Sequence, residues 1–380
     1  MERSVHVTRR SRTRTSWQNG LTRPFLIIVL ISSFVLMGTS TPLSAATLAW
    51  SSPTSVDRFA PILSVSCPTT TFCAAVDNSG YALTFNGTTW TAPVKIASTN
   101  LNSVSCPSST FCEAVGGGVA VWFNGTAWSP PDTIDTYALQ SVSCTSSTFC
   151  TAVDSSEDIF SFNGGTWKVD ASNGSLLMYS VSCTTQEQCI AVDGFGGATF
   201  GGGGVWTARR IVPDANSEIN TVSCVGSLFC VAGDLNGRAL TLNGVGSTWS
   251  TPLSIDPGGD IVSVSCVTSS FCMAAALDGN IYSFDGSTWT NLGAPDSTGT
   301  LAAVSCATTS FCAAVDSGGQ VIYYQAQQSP PTTTTTLAPV TTTTVGAKSV
   351  TIRCVLRTNK KHVKMVKGRH PKCPAGYKLA

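Results

Sequence analysis

Residues 64–90 read SVSCPTTTFCAAVDNSGYALTFNGTTW, and this stretch decides the fold because its pattern recurs along the chain. Each copy contains S-V-S-C, five residues, C-x-A-V-D, a glycine turn, an apolar run and F-N-G-x-x-W, with small departures. Seven Cys-x5-Cys pairs mark seven copies, and their first cysteines are 38 to 42 residues apart. A period this constant indicates an array of equivalent structural units.

Each copy has the pattern of four short strands. Apolar runs alternate with turns rich in Pro, Ser, Thr, Gly and Asn, and pairs such as Asn86-Gly87 favour two-residue hairpin turns. No stretch within 47–325 shows a 3.6-residue apolar period. Four antiparallel strands in each unit of about 40 residues are typical of a propeller blade. We therefore predict an all-β fold, a seven-bladed β-propeller, over residues 47–325.

The two ends of the array predict how the ring closes. The seventh copy stops at residues 321–324 (VIYY) and lacks the F-N-G-x-x-W segment. The missing piece is found at residues 49–53 (AWSSP), which resemble 90–93 (WTAP) and 249–252 (WSTP). We predict that this N-terminal strand becomes the outer strand of the last blade and removes its open edge.

The Cys-x5-Cys pairs predict one disulfide in each blade, joining its first two strands across their short connection. Each closed loop of this size is worth about 2 kcal/mol on the chain-entropy model. Zinc is disfavoured by the spacing and by the lack of a nearby histidine, and reactive thiols are disfavoured by seven equivalent copies. The predicted pairs are Cys67–Cys73, Cys106–Cys112, Cys144–Cys150, Cys183–Cys189, Cys224–Cys230, Cys266–Cys272 and Cys306–Cys312.

The first 46 residues are typical of a secretory signal peptide. A basic stretch ends at Arg23, and the apolar run 25–37 (FLIIVLISSFVLM) is too short to cross a bilayer, which needs about 20 residues. Small residues before the junction of Ala46 and Thr47 predict cleavage there. The alternative is an uncleaved anchor. Cleavage would leave an extracellular protein with no transmembrane helix, in a compartment where disulfides persist.

Charge divides the chain into three parts. Residues 1–46 have a balance of +5, residues 47–345 of −14, and residues 346–380 of +10. Charged residues make up 11% of the chain, less than half the usual share of about 25%. The only histidines are His6, His362 and His370, so a Ser-His-Asp or Cys-His site in the propeller is excluded.

These repeats resemble those of secreted bacterial, especially actinobacterial, β-propeller proteins of uncharacterised function. They are also distantly similar to Asp-box (sialidase-type) propellers and to photosystem II assembly-factor propellers, whose blades end in an Asp/Asn-Gly turn before Trp. The resemblance covers residues 47–325 and departs from the strict Asp-box, because residues 283–289 (SFDGSTW) are one residue shorter between Ser and Trp. The resemblance implies the fold and does not carry a function.

Two repeated side chains and one unrepeated one are candidates for ligand contact. An acid recurs after the second strand, where turn formation is favoured over a metal or ligand contact; these acids are Asp77, Asp154, Asp193, Asp234 and Asp316. A tryptophan recurs once per unit, where packing between blades is favoured over stacking on sugars; the series is Trp50, Trp90, Trp128, Trp167, Trp206, Trp249 and Trp289. Trp122 lies outside that position and is the candidate ligand contact.

The C-terminal part divides into a spacer and a basic module. Residues 326–346 include nine Thr and three Pro within 329–345 and predict a disordered linker. Residues 347–380 carry Cys354 and Cys373, for which we predict a disulfide. The alternative is a zinc site that adds the two C-terminal histidines. Ten positive charges without an acid indicate attraction to an anionic wall polymer, although a solvated tail or one folded on the acidic propeller remains open.

The sequence thus predicts a signal peptide (1–46), a propeller (47–325), a linker (326–346) and a basic module (347–380). We expect a secreted, cell-wall-associated monomer that binds without catalysis, with glycans as the most concrete ligand. A protein partner is also open, whereas a nucleic acid, a metal or a cofactor is not expected. The alternatives are a glycoside hydrolase or lyase of sialidase-like type, which would use carboxylates or clustered arginines, and a purely structural surface protein.

Overall fold

The computed structural model describes residues 47–172, 177–213, 217–244, 248–297, 299–327, 350–358, 361–368 and 371–380. Strands account for the regular structure of these ranges. None of them contains a helix of the length and apolarity that a membrane crossing requires. The predicted signal peptide, its cleavage after Ala46 and the linker from residue 328 onward lie outside the described residues, so those boundaries stay predictions.

The strands are short and follow the repeat. Those of the N-terminal segment and the first three blades are β1 (Leu48–Trp50), β2 (Thr54–Ser55), β3 (Ile62–Thr69), β4 (Phe72–Asp77), β5 (Tyr81–Phe85), β6 (Val94–Lys95), β7 (Ser103–Ser108), β8 (Phe111–Gly116), β9 (Val119–Phe123), β10 (Asp132–Thr133), β11 (Leu139–Ser146), β12 (Phe149–Asp154), β13 (Asp158–Phe162) and β14 (Trp167–Ser172). Those of the last four blades are β15 (Met178–Thr185), β16 (Gln188–Asp193), β17 (Gly197–Gly202), β18 (Val205–Trp206), β19 (Arg210–Ile211), β20 (Ile219–Val225), β21 (Phe229–Asp234), β22 (Arg238–Asn243), β23 (Leu253–Ser254), β24 (Ile261–Thr268), β25 (Phe271–Ala276), β26 (Ile281–Phe284), β27 (Trp289–Asn291), β28 (Leu301–Thr308), β29 (Phe311–Asp316) and β30 (Gln320–Ala326).

These strands form seven antiparallel sheets, one for each repeat. Blades 1 to 3 are β3–β6, β7–β10 and β11–β14, blade 4 is β15–β19, and blades 5 and 6 are β20–β23 and β24–β27. Blade 7 contains β28, β29 and β30. The predicted all-β, seven-bladed propeller with a disulfide in each repeat is confirmed. In blade 3, for example, Cys144 faces Cys150 in the register of the first two strands, and the two sulfurs are bonded.

The N-terminal strand closes the ring, as predicted. β1 pairs antiparallel with β30, with Trp50 opposite Tyr324 and their ring centroids 5.5 Å apart. The Ser51 hydroxyl accepts a hydrogen bond from the Tyr323 N–H at 3.0 Å, as the Thr91 hydroxyl does from Thr84 in blade 1. The closing segment therefore reproduces the bonds of an ordinary outer strand. The hydroxyl bond explains why Ser or Thr follows the recurrent tryptophan in these segments.

Serine hydroxyls join each blade to the next. In the S-V-S-C motif of blade 1, the Ser64 and Ser66 hydroxyls accept hydrogen bonds from the Val104 and Cys106 N–H groups of blade 2, at 3.1 and 2.9 Å. The same two bonds recur between successive blades up to blade 7, with Thr221 in place of one serine. These hydroxyls satisfy backbone N–H groups of the first strands, which pack side by side around the centre of the ring.

The core lies between blades rather than within one of them. Each of the seven junctions holds one hydrophobic cluster that combines residues of two neighbouring blades. An apolar residue at or just before the start of each first strand, such as Ile62 or Leu139, is buried in such a cluster. Burial of one such side chain contributes about 2–3 kcal/mol, so stability is distributed evenly around the ring.

The basic module forms its own three-stranded sheet. The strands are β31 (Val350–Leu356), β32 (Val363–Gly368) and β33 (Tyr377–Leu379), in the order β32-β31-β33. A disulfide joins Cys354 to Cys373. The bond takes both sulfurs that the zinc alternative required, and His362 lies exposed on the surface.

Candidate functional site

The recurrent tryptophans are packing residues. In four blades the indole lies against a phenylalanine five positions earlier, with ring centroids 5.1 to 5.5 Å apart. Trp128, for instance, packs on the cluster shared by blades 1 and 2. Trp249 is buried at 7% exposure. Of the two interpretations of this series, the structure supports packing between blades.

The recurrent aspartates form turns. In each of them, Oδ1 accepts hydrogen bonds from the N–H groups two and four residues ahead, at 2.6 to 3.0 Å. The five carboxyls are at most 1% exposed. A sialidase-like site would need clustered arginines. Here Arg209 and Arg238 form ion pairs with the turn aspartates Asp193 and Asp234. These side chains hold the turns of their own blades.

Trp122 lies in a groove between blades 2 and 3. Its side chain is 44% exposed, unlike the recurrent tryptophans. The groove has a cavity volume of about 570 Å³ and is lined by residues of both blades, including Phe162 and Trp167 from blade 3. We call this cavity the 2–3 groove. Its volume is within the range of about 300–1,000 Å³ that is usual for ligand pockets.

Glu113 lies beside Trp122 at the bottom of this groove. The two residues are opposite each other in the register of β8 and β9, so their side chains share one face of the sheet. Ser105, the next residue across on that face, accepts a hydrogen bond from Cys144 of blade 3. That face is therefore the one turned toward blade 3.

The Glu113 and Trp122 pair breaks the symmetry of the ring. The equivalent pairs in blade 1 and in blades 3 to 7 contain no acid and no tryptophan; they are Ala74/Thr84, Thr151/Ser161, Ile190/Phe200, Val231/Thr241, Met273/Ser283 and Ala313/Tyr323. Packing alone is satisfied by small or aliphatic residues at the first of these positions. A glutamate there needs another explanation.

The Glu113 carboxyl is buried in its neutral form. It is 1% exposed, and its Oε2 atom accepts no hydrogen bond from the described residues. Burial raises the pKa of Glu113 to about 8, a hydrogen bond from the Trp167 side chain opposes this, and the charge of Asp132 adds to it. Near pH 7 the group therefore carries a proton and can both donate and accept a hydrogen bond.

A second groove between blades 1 and 2 serves as an internal comparison. Its volume is about 680 Å³, and Thr84, Lys95 and Trp128 contribute to its walls. Ala74 and Thr84 stand where Glu113 and Trp122 stand in the 2–3 groove. A cavity of this size therefore occurs at both junctions. The acid and the exposed indole occur only at the junction of blades 2 and 3.

Sequence reasoning identified Trp122 and missed Glu113. The signal was present, because Glu113 is the only acid at the position that follows the second cysteine of each pair. The structure places this departure from the repeat between two blades. Its burial depends on Phe162 and Trp167 of the neighbouring blade, about 50 residues further along the chain.

The comparisons with known proteins support the fold. No family model matches this chain, and no curated protein matches it. It is similar to the solved structure of YCF48 bound to D1 peptide, with a TM-score of 0.62 and 15% identity over 76% of this chain and 100% of that one. It is also similar to YCF48 from Cyanidioschyzon merolae, with a TM-score of 0.59 and 15% identity over 72% and 99%. The resemblance to photosystem II assembly-factor propellers is thereby supported at the level of the fold.

Proposed function

We propose that this protein is an exported, non-enzymatic binding propeller that takes a neutral carbohydrate chain into the 2–3 groove. One observation carries the proposal: a single junction of the ring combines an exposed indole, Trp122, with a buried and protonated carboxyl, Glu113. Its six counterparts lack both groups. A departure from an otherwise regular repeat is where a ligand-specific feature is expected.

The chemistry of the groove suits a sugar ring. The face of an exposed indole provides a flat apolar surface for the C–H face of a pyranose. A neutral carboxyl donates and accepts hydrogen bonds, as a sugar hydroxyl does. Ser108, Asn124 and Ser146 add further polar groups along the walls. The net charge of −14 over residues 47–345 favours a neutral glycan over an acidic one.

We further propose that the basic module holds the protein at an anionic cell-wall polymer. Its described lysines and arginines are exposed, for example Arg353, Lys364 and Lys367 on its first two strands. Residues 346–380 contain no acid that could neutralise them. Binding of this kind is electrostatic and should weaken with salt. Export itself rests on the composition of residues 1–46 and on the eight disulfides.

The test is a glycan array followed by calorimetric titration of the full chain with the best neutral oligosaccharide. We expect Trp122→Ala to weaken binding by at least about tenfold, because the stacking surface is lost. The matched control is Thr84→Ala, which changes the equivalent position in the groove between blades 1 and 2 and should leave the affinity unchanged. Equal affinity of wild type and Trp122→Ala would contradict the proposal.

A peptide ligand is the outcome that would replace the carbohydrate. A structurally similar propeller, YCF48, has been solved bound to a peptide. If the array shows no glycan binding while an extended peptide binds and Trp122→Ala abolishes that binding, the partner is a protein. If the full chain binds neither class, the purely structural alternative takes the place of both.

A glycoside hydrolase is the second candidate, favoured by one observation. Glu113, with its raised pKa, and Asp132, whose charge contributes to that rise, both line the 2–3 groove, as an acid and a second carboxylate would. Glu113→Gln distinguishes the two functions, since the amide keeps a donor and an acceptor but cannot supply a proton. A binding protein should keep its affinity within a few-fold, whereas a hydrolase should lose turnover.

A further inference from the structure

The turn aspartates differ in what their second oxygen contacts. Oδ2 of Asp193 and of Asp234 is bound by an arginine, Arg209 or Arg238, through Nε. Oδ2 of Asp154 is bound by the Ser156 hydroxyl at 2.6 Å, and Oδ2 of Asp316 by the Gln320 amide at 3.3 Å. In these four blades the chain itself supplies a donor, and in two of them that donor is a permanent cation.

Blade 1 is the exception in lacking a donor for Oδ2, although two acids also face each other in blade 7, Asp296 and Asp316. Oδ2 of Asp77 is fully buried and accepts no hydrogen bond from the described residues, and the side chain that faces it is another acid, Asp57. Oδ2 of Asp57 is also buried and also without a hydrogen bond, although the two carboxyls are close enough to share a proton. Two carboxylates in this position repel each other unless a positive charge lies between them.

Asp57 is fixed by the backbone that closes the ring. The Val56 and Asp57 N–H groups both donate to the Gly319 carbonyl of blade 7, at 3.0 and 2.9 Å. Oδ1 of Asp57 accepts a hydrogen bond from the Phe59 N–H at 2.9 Å. The Phe59 bond occupies Oδ1, and the side chain interacts with Asp77. The pair therefore bridges the closing segment and the turn of blade 1.

The nearby cations are engaged elsewhere. The Lys95 ammonium donates to the Ser79 carbonyl and lies over the Tyr81 ring, 4.8 Å from its centroid. Arg58 is exposed, and none of the ion pairs within the described ranges includes Asp57 or Asp77. Burial raises the pKa of Asp77, the N–H groups of Tyr81 and Ser79 lower it, and the charge of Asp57 raises it again.

Blade 3 favours a cation over a proton. Blade 2 lacks both acids, with Gly116 at the position of Asp77 and Ala97 at that of Asp57. Blade 6 keeps the first acid, Asp256, and has Ala276 at the position of the second. In blade 3 the equivalent pair, Asp154 and Asp135, is joined by Asp158, and oxygens of all three lie within 4.8 Å of one another. Carboxylate oxygens grouped in this way are the ligands that calcium prefers.

We propose that Asp57 and Asp77 bind a divalent cation of the calcium class between their Oδ2 atoms, and that this ion fastens the N-terminal segment to blade 1. The ion takes the place that a guanidinium takes in blades 4 and 5. It lies at the one junction that no continuous chain completes. This site is separate from the 2–3 groove, so neither depends on the other.

The first measurement needs no variant. Hydrogen exchange of the full chain, read by mass spectrometry, is compared in EDTA and in about 1 mM CaCl2, a concentration at which extracellular calcium modules bind. We expect exchange in β1, β2 and β30 to slow by at least about tenfold with calcium, and exchange in β21 and β22 of blade 5 to stay unchanged. Calcium without effect on the closing strands would overturn the proposal.

The second measurement assigns the residues. Calorimetric titration with CaCl2 should give one site fewer in Asp57→Asn and in Asp77→Asn than in wild type, whereas the exposed turn variant Asp285→Asn should match wild type. A shared proton predicts a different result: no calcium binding at this pair, and the same number of calcium sites in wild type, Asp57→Asn and Asp77→Asn. That result would also overturn the proposal. Binding in the 2–3 groove is measured separately and can fail or succeed independently.

Discussion

At the scale of single residues, the buried acids Glu113 and Asp57 carry the two proposals. Glu113 replaces a small or aliphatic residue, and Asp57 faces an acid where blades 4 and 5 supply an arginine. Both carboxyls are 1% exposed. Burying a charge is costly, so each site requires a proton, an ion or a ligand group as compensation. We therefore expect a ligand or an ion at these two sites.

Glu113 predicts a pH dependence of stability. Its pKa rises from 4.5 to about 8 on folding, so its contribution is complete below pH 4.5 and lost as the pH rises through 8. We expect Glu113→Gln to flatten this decline and to raise the free energy of unfolding at about pH 8 by on the order of 3 kcal/mol. Guanidinium unfolding at about pH 5 and pH 8 measures it. Glu187→Gln, at an exposed hairpin position, is the control, and equal pH slopes for wild type and Glu113→Gln would contradict the assignment.

At the scale of strands, the ring is held by hydroxyl groups that point from one first strand to the next. Thirteen such bonds join successive blades, and the only departure is at the closure. There Ser305 accepts a hydrogen bond from the Cys67 N–H at 2.9 Å, but Ala303 has no hydroxyl to offer Val65. The junction between blade 7 and blade 1 is therefore one bond poorer than the others.

Ala303→Ser should restore the missing bond. Ser64 plays the equivalent role toward Val104, so the new hydroxyl should accept from the Val65 N–H and stabilise the protein by about 1 kcal/mol. Chemical unfolding of wild type and variant measures the gain. Ser66→Ala, which leaves the Cys106 N–H without its acceptor, is the opposite change and should cost about 1–2 kcal/mol. A destabilised Ala303→Ser protein would show that the closure is spaced differently from the other junctions.

Features that recur at fixed spacing could be predicted from the sequence, whereas contacts between neighbouring blades could not. The Cys-x5-Cys hairpins and the closing role of Trp50 could be predicted because each signal appears several times at fixed spacing. The serine bonds could not be, since the S-V-S-C motif fits any half-buried strand until its neighbour is known. Glu113 and Asp57 were missed for the same reason, because their surroundings come from the next blade or the next loop.

At the scale of the whole molecule, the ring is stable only as a closed object. Each cluster of the core belongs to two blades, so no blade is complete without its neighbours. The closing segment gives blade 7 its outer strand by supplying Trp50 and the Ser51 hydroxyl. Opening it would expose both an apolar surface and the free edge of β30.

A variant lacking residues 47–53 tests this dependence. We expect the free energy of unfolding to fall by on the order of 3 kcal/mol, because the burial of Trp50 and the pairing with β30 are lost. The free edge should also lead to association, visible by light scattering after gel filtration. Removal of residues 350–380 is the control, because these strands form a separate sheet. A monomeric, equally stable deletion variant would show that the closing strand is dispensable.

The pairing of β1 with β30 also sets an order of events in time. Ser51 and Tyr323, which are hydrogen-bonded in the finished ring, are 272 residues apart in the chain. The closing segment must therefore wait until the ribosome has made β30, 272 residues later. Hairpins and their short disulfides can form as each repeat emerges, whereas the circle stays open until β30 is available. Until β30 is made, β1 stays unpaired and exposes its edge and Trp50, so we expect chaperones to bind this segment of the nascent chain.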